Sequence, residues 1–271
     1  VVMQFREKSI DVLRLYSPKP KRFDEEDIRL ARAVASQCAV AITNAKLYWE
    51  ALEGSKIAEQ VKLAGDIQRR MIPAKAPKIN KLDISATYIP CFEVGGDFYD
   101  FVKINDNKIV ITISDVIGKG VPAAMMMSGF RAALRAYINT STDGDLAEII
   151  DKLNKMACTE CSVGEFITLF LAIIDTEKMT LTYCSCGHEP TIHVREGKMK
   201  DLSKGGLVLG IEPNIDYETE VLELKFHDWL IFYTDGLIDA AGFDDELWGR
   251  ENLLKAVEKF VNETSNYMIN D

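Results

Sequence analysis

From Ile28 onward an apolar residue recurs every three or four positions: Ile28, Ala31, Ala35, Cys38, Ile42, Ala45, Tyr48, Leu52. That spacing places them on one face of a helix. A weaker continuation follows Gly54, through Ile57, Val61, Ala64, Ile67 and Met71, until Pro73 and Pro77 stop it. Asp24-Glu-Glu-Asp27 supplies a cap and an acidic first turn. The spacing therefore predicts one helix of some forty residues, bent near Gly54. Sixteen upstream residues cannot cover so long a stripe, so a second copy in a coiled coil is the expected partner, with packing on the rest of its own chain as the alternative.

Composition narrows the rest. Hydrophobic residues make up 47% of the 271 and charged residues 27%, an ordinary globular balance. Apolar runs such as Val121–Met127 are far short of the roughly 20 residues of a membrane span. No charged-then-apolar leader opens the chain, so no secretory signal is expected. Cys158 and Cys161 have the spacing of half a zinc site, but Cys184 and Cys186 do not supply the other half. Reduced thiols and a cytoplasmic setting are expected.

The net charge of −10 is unevenly spread. Residues 1–80 hold fifteen basic and ten acidic side chains, and residues 81–271 hold seventeen and thirty-two. The acidic part is a poor nucleic-acid binder, because phosphates need Lys and Arg. Its carboxylates suit divalent cations.

After residue 82 the texture changes to short strands and loops. Strands are expected at 82–88, 108–114, 167–174, 179–185, 191–195, 218–224 and 229–233, with a hairpin turn at Gly197. Helices are expected at 122–137, 145–157 and 251–261. This grouping predicts an α+β sandwich.

Three aspartates leave apolar strands beside glycines. They lie in Glu93-Val-Gly-Gly-Asp97-Phe-Tyr-Asp100, in Ile111-Thr-Ile-Ser-Asp115-Val-Ile-Gly-Lys-Gly120 and in Leu230-Ile-Phe-Tyr-Thr-Asp235-Gly-Leu-Ile-Asp239. Converging carboxylates repel unless a cation lies among them, and magnesium and manganese favour such oxygen ligands. Gly118-Lys119-Gly120 lacks the spacer and the Ser or Thr of a nucleotide loop, so Lys119 is expected at the surface. His188 is expected to order a loop, and Met125-Met-Met127 to point in different directions from a helix. Asp100 is expected behind the site or in a turn, and Asp244-Asp245-Glu246 in a solvated loop.

These segments resemble the metal-dependent serine/threonine phosphatases (PPM class) of the SpoIIE/RsbU-like family. The carriers are the first segment above, Asp115-Val-Ile-Gly-Lys-Gly-Val-Pro-Ala-Ala124 and Tyr233-Thr-Asp-Gly-Leu237, with Ala64-Gly-Asp-Ile-Gln68, Ile72-Pro73, Thr168-Leu-Phe-Leu-Ala172 and Gly187-His188-Glu-Pro190. The resemblance covers residues 62 to 271 in the family's order. It implies a phosphatase β-sandwich flanked by helices (α-β-β-α), with the long coiled-coil helix before it.

It further implies two Mn2+ or Mg2+ ions. Asp97, Asp115 and the carbonyl of Val116 hold one, and Asp115 and Asp235 share the other. A water between the ions would attack phosphoserine or phosphothreonine. The substrate expected by resemblance is a phosphorylated anti-sigma-factor antagonist, with an upstream sensor in control. Residues 122–137 would be a switch helix that gates the metals. Residues 1–45 resemble the C-terminal end of a GAF domain, through Ala39-Val-Ala-Ile-Thr-Asn-Ala45-Lys-Leu-Tyr48. Residues 46–72 would be a linker that joins two copies, and residues 73–271 the phosphatase domain. A further Asp-Asp pair of the family is not met before Asp271, so that domain is expected to be incomplete at its C-terminal side. The alternative is a phosphatase-fold scaffold with little turnover.

Overall fold

The computed structural model describes residues 1–6, 8–17, 20, 23–141, 145–242 and 246–261. Its internal contacts divide it into two units, Val1–Val61 and Lys62–Asp271.

In the first unit, strands β1 (Val2–Phe5) and β2 (Lys8–Val12) pair antiparallel. The helix α1 (Glu25–Met71) follows, helical through Gly54 without a break, its residues from Lys62 on belonging to the second unit. Asp24 caps it, its Oδ1 accepting from the backbone N–H groups of Glu26 and Asp27 at 3.0 and 2.8 Å. Part of the apolar stripe is covered by its own chain. Ala35 and Ala39 are buried with Met3, and Ile10, Leu13 and Cys38 pack beside them. Further along, Ile42, Leu47, Tyr48, Trp49 and Ile57 stay exposed.

The second unit adds β3 (Phe98–Asn105), β4 (Lys108–Val116), α2 (Gly120–Thr140), α3 (Leu146–Glu160), β5 (Ile167–Asp175) and β6 (Thr180–Cys186). Next come β7 (Thr191–Arg195), β8 (Lys198–Leu202), β9 (Gly205–Gly206), β10 (Glu220–Glu223) and β11 (Trp229–Ile231). The helices α4 (Asp235–Ile238) and α5 (Gly249–Phe260) close the described chain. One sheet runs β10-β6-β5-β4-β3, with β9 also beside β6; the other runs β11-β7-β8.

Side-chain alternation builds the layers. Ile109, Ile111, Ile113, Phe170, Ala172 and Ile174 face the smaller sheet, where Leu202 and Leu230 meet them. Val110, Val116, Leu169 and Leu171 face the other way, onto Met127, Phe130, Leu134, Ile150 and Leu153 of α2 and α3. Ile192 and Val194, on the outer face of the smaller sheet, pack on Leu253 and Val257 of α5. The order is α-β-β-α. Because β4 and β5 are covered on both faces, they read as near-continuous apolar runs.

Residues 82–88 form no strand. Leu82, Ile84 and Ala86 alternate as a strand would, but they pack on the core without joining a ladder. The first strand of the sheet is β3 instead. Among the described residues no helix is long and apolar enough to cross a membrane.

Candidate active site

Antiparallel pairing brings the first two aspartates together. Phe98 pairs with Ser114 where β3 begins and β4 ends, so one step outward sets Asp97 opposite Asp115. On its other side Asp115 pairs with Thr168 of β5. The approach needs glycine at residue 96, where an added Cβ would lie 2.4 Å from the carbonyl oxygen of Val116.

The third aspartate arrives from the other sheet. Asp235 opens α4, just after β11. Thr234 donates its hydroxyl to Oδ2 of Asp97 at 2.6 Å. An added Cβ at Gly236 would lie 3.9 Å from the same oxygen, so this turn sits over Asp97.

His188 ties the parts together and is not poised as a ligand. Its Nε2 lies 3.1 Å from the carbonyl oxygen of Tyr233. A carbonyl only accepts, so Nε2 carries the proton. Burial lowers the ring to about 4, which keeps it neutral. Nδ1 then accepts from the hydroxyl of Thr168 at 2.8 Å. One imidazole thus joins the strand facing Asp115 to the segment that leads into Asp235.

Negative charge accumulates here, opposed at Asp235 by a weaker pull from Lys119. The Asp115 carboxyl is pushed up to about 8, by burial first, then by a hydrogen bond to Asp97 and the charges of Asp97 and Asp235. Asp235 is also raised, by loss of water and then by Asp97 and Asp239. Tyr88, whose buried hydroxyl has no partner among the described residues, is raised to about 12 by burial and then by Asp97.

Among the described residues none of the three aspartates pairs with a Lys, Arg or His side chain within 4.0 Å. Nor do three acidic, His or Cys side chains close a cage by themselves among those residues. An open set of hard oxygen donors with uncompensated charge fits ions that retain several waters, as magnesium and manganese do.

Other expected residues lie elsewhere. Asp100 is neither in a turn nor at the carboxylate cluster. It is fully buried on β3, held by Arg135 at 2.6 and 2.8 Å and by Arg131 at 3.0 Å, both on α2. Its alternating position turns it away from the strand end and onto the helix layer. Lys119 is exposed just before α2, between Gly118 and Gly120 with φ of +105° and +68°. Met127 is buried while Met125 is 71% exposed. All six cysteines are free. Of the acidic run at 244–246, Asp244 and Asp245 lie outside the described residues.

Sequence reasoning missed Thr234 and the partner role of Thr168. Each stood within a quoted motif, but neither residue type announces a hydrogen bond across so many positions.

An α-β-β-α sandwich with aspartates converging from two sheets defines a phosphatase domain of the PP2C type. Residues 105–270 match the family described as Stage II sporulation protein E (SpoIIE), and the chain belongs to that family. It is 31% identical over 216 residues to "Phosphoserine phosphatase RsbU" of Bacillus subtilis, covering 79% of this chain and 63% of that protein. It is 31% identical over 217 residues to "Protein IcfG" of Synechocystis, covering 70% of this chain and 34% of that protein. The chain thus spans between a third and two thirds of these relatives' lengths. Among solved structures, the SiaA-PP2C domain of Pseudomonas aeruginosa superposes with a TM-score of 0.67 at 22% identity, over 80% of this chain and 87% of that one. That likeness shows the fold.

Proposed function

We propose that this chain is a metal-dependent phosphoprotein phosphatase acting on phosphoserine or phosphothreonine. The observation that carries the reading is the unpaired carboxylate cluster of Asp97, Asp115 and Asp235. Asp97, Asp115 and the Val116 carbonyl would hold one Mn2+ or Mg2+, and Asp115 and Asp235 a second. Such ions supply a nucleophilic water at neutral pH and neutralise charge on a phosphoryl oxygen. The chain's own residues do the rest. Asp115 loses its proton to serve as a ligand, Thr234 orients Asp97, and His188 fixes the segment before Asp235. The excess of acidic over basic side chains in residues 81–271 favours a protein substrate over nucleic acid.

The substrate we propose is a phosphorylated anti-sigma-factor antagonist in the cytoplasm, with phosphatase activity set by an upstream sensor. Residues 1–45 would be the end of a GAF-like sensor domain, 46–72 a linker and 73–271 the phosphatase domain. The exposed apolar residues of α1 support a homodimer through that helix.

The test is phosphate release from a phosphoserine protein, with and without manganese, by the wild-type chain and by Asp115→Asn. Manganese-dependent release that the substitution abolishes supports the reading. Equal release by both proteins, or release that ignores manganese, overturns it.

A further inference from the structure

The 93–97 segment carries Asp97 on two glycines, the residue with the greatest conformational freedom. Such a segment holds a ligand in place only if something outside it takes up its backbone groups. Gln68, on the last turn of α1, does so. Its Nε2 donates to the carbonyl oxygen of Gly95 at 2.7 Å, and its Oε1 accepts from the Gly95 N–H at 3.0 Å. Both polar groups of one residue are thereby satisfied by one side chain, as a neighbouring strand would satisfy them. Gln68 is 5% exposed, so water competes little for these bonds.

A second grip lies almost one turn earlier. At Gly65 an added Cβ would fall 2.2 Å from the carbonyl oxygen of Glu93, so the helix backbone rests directly on the segment. The two grips act four and two residues before Asp97. Between them and the metal side stands Gly96, against the carbonyl of Val116. All these residues belong to the second unit.

We infer that Gln68 is a positioning residue that holds the Gly95-Gly96 segment in the conformation presenting Asp97 and the Val116 carbonyl to a divalent cation. The inference rests on the metal site proposed above. It assigns to the end of α1 a part in metal affinity beyond packing. An apolar side chain of equal length would fill the same space, yet leave both Gly95 groups without partners and free the segment to rearrange.

The test is the full chain with Gln68→Met, with Gln60→Met on an exposed part of α1 as the control for helix and side-chain effects. Four quantities are read: Mn2+ binding by titration calorimetry, hydrogen exchange at the Gly95 amide, Tm, and kcat for phosphate release. Loss of two buried hydrogen bonds is expected to weaken Mn2+ binding by about tenfold or more in Gln68→Met. Exchange at Gly95 should quicken, and saturating manganese should restore most of kcat. Gln60→Met should match wild type.

An unchanged Mn2+ dissociation constant in Gln68→Met overturns the positioning role and leaves the metal site standing. No Mn2+ binding by wild type overturns both. If Gln68→Met does not fold, Gln68→Glu is read in its place. It keeps the acceptor for the Gly95 N–H and loses the donor, so weaker Mn2+ binding supports the role and an unchanged constant overturns it.

Discussion

Gly96 and the carbonyl oxygen of Val116 are packed so closely that a methyl group on residue 96 would lie 2.4 Å from that oxygen. The obstacle is backbone, inside a sheet that cannot yield, and the same carbonyl is a proposed ligand. Gly96→Ala should therefore push Asp97 away from the end of β4. The expected cost is about 1–3 kcal/mol of stability from overpacking. Manganese-dependent activity should fall by much more than the thermal midpoint suggests. Phosphate release measured well below Tm checks this, and wild-type activity in Gly96→Ala would refute it.

Asp115 links metal, proton and stability. Its folded value of about 8 lies above the ordinary 3.8, so the folded chain holds this proton more tightly than the unfolded chain. The stabilising contribution is full below about pH 4 and is lost as pH rises through about 8. In metal-free protein the Tm should fall between pH 6.5 and 8.5, and Asp115→Asn should flatten that fall. Saturating Mn2+ should raise Tm in wild type and not in the variant. Calorimetry across this window, with and without metal, decides it.

His188 acts in the opposite direction. Its folded value of about 4 lies below the ordinary 6.5, so the unfolded chain takes up the proton first. Stability from a neutral His188 is present above about pH 6.5 and is lost as pH falls towards 4. His188→Ala should remove that slope. It also strands the Tyr233 carbonyl, at a cost of about 1–3 kcal/mol for a buried group left unpaired, while the Thr168 hydroxyl keeps the Asp115 carbonyl oxygen at 3.4 Å as an acceptor. Because Asp115 slopes the other way over this range, denaturant unfolding at pH 5 and pH 7.5 is compared in an Asp115→Asn background, where stability should rise with pH when His188 is present and stay flat with His188→Ala.

The ion group of Asp100, Arg131 and Arg135 clamps α2 onto β3 from inside the fold. Asp100→Asn would leave two guanidinium groups facing each other beside the core. Removing one member of a buried pair costs about 3–5 kcal/mol. The expected result is a large drop in the denaturant midpoint with an unchanged slope. A change within about 0.5 kcal/mol, typical of surface sites, would show that the group is solvated in solution.

Much of the fold is legible in the sequence. The period of three and four located α1, and continuous apolar runs located β4 and β5, because both patterns record which side chains meet water. Asp145 marked the start of α3, and its carboxylate does accept from the N–H groups of Ala147 and Glu148. The strand expected at 82–88 did not form, since alternation reports burial and is silent on ladder hydrogen bonds. Of the two places expected for Asp100 the structure excludes the turn, because β3 has already begun at Phe98, a start that the glycine-rich segment beside it hides in the sequence.

The chain's own order of residues determined the class of fold, the three aspartates at strand ends and the family motifs around them. Tertiary structure alone decided what those aspartates touch. Thr234 reaches Asp97 across 137 positions, His188 reaches Tyr233 across 45, and Gln68 reaches Gly95 across 27. Local periodicity reports the face a residue presents over a few neighbours. It carries no information on which distant backbone will close against that face, because closure depends on sheet register, layer packing and the removal of every competing water.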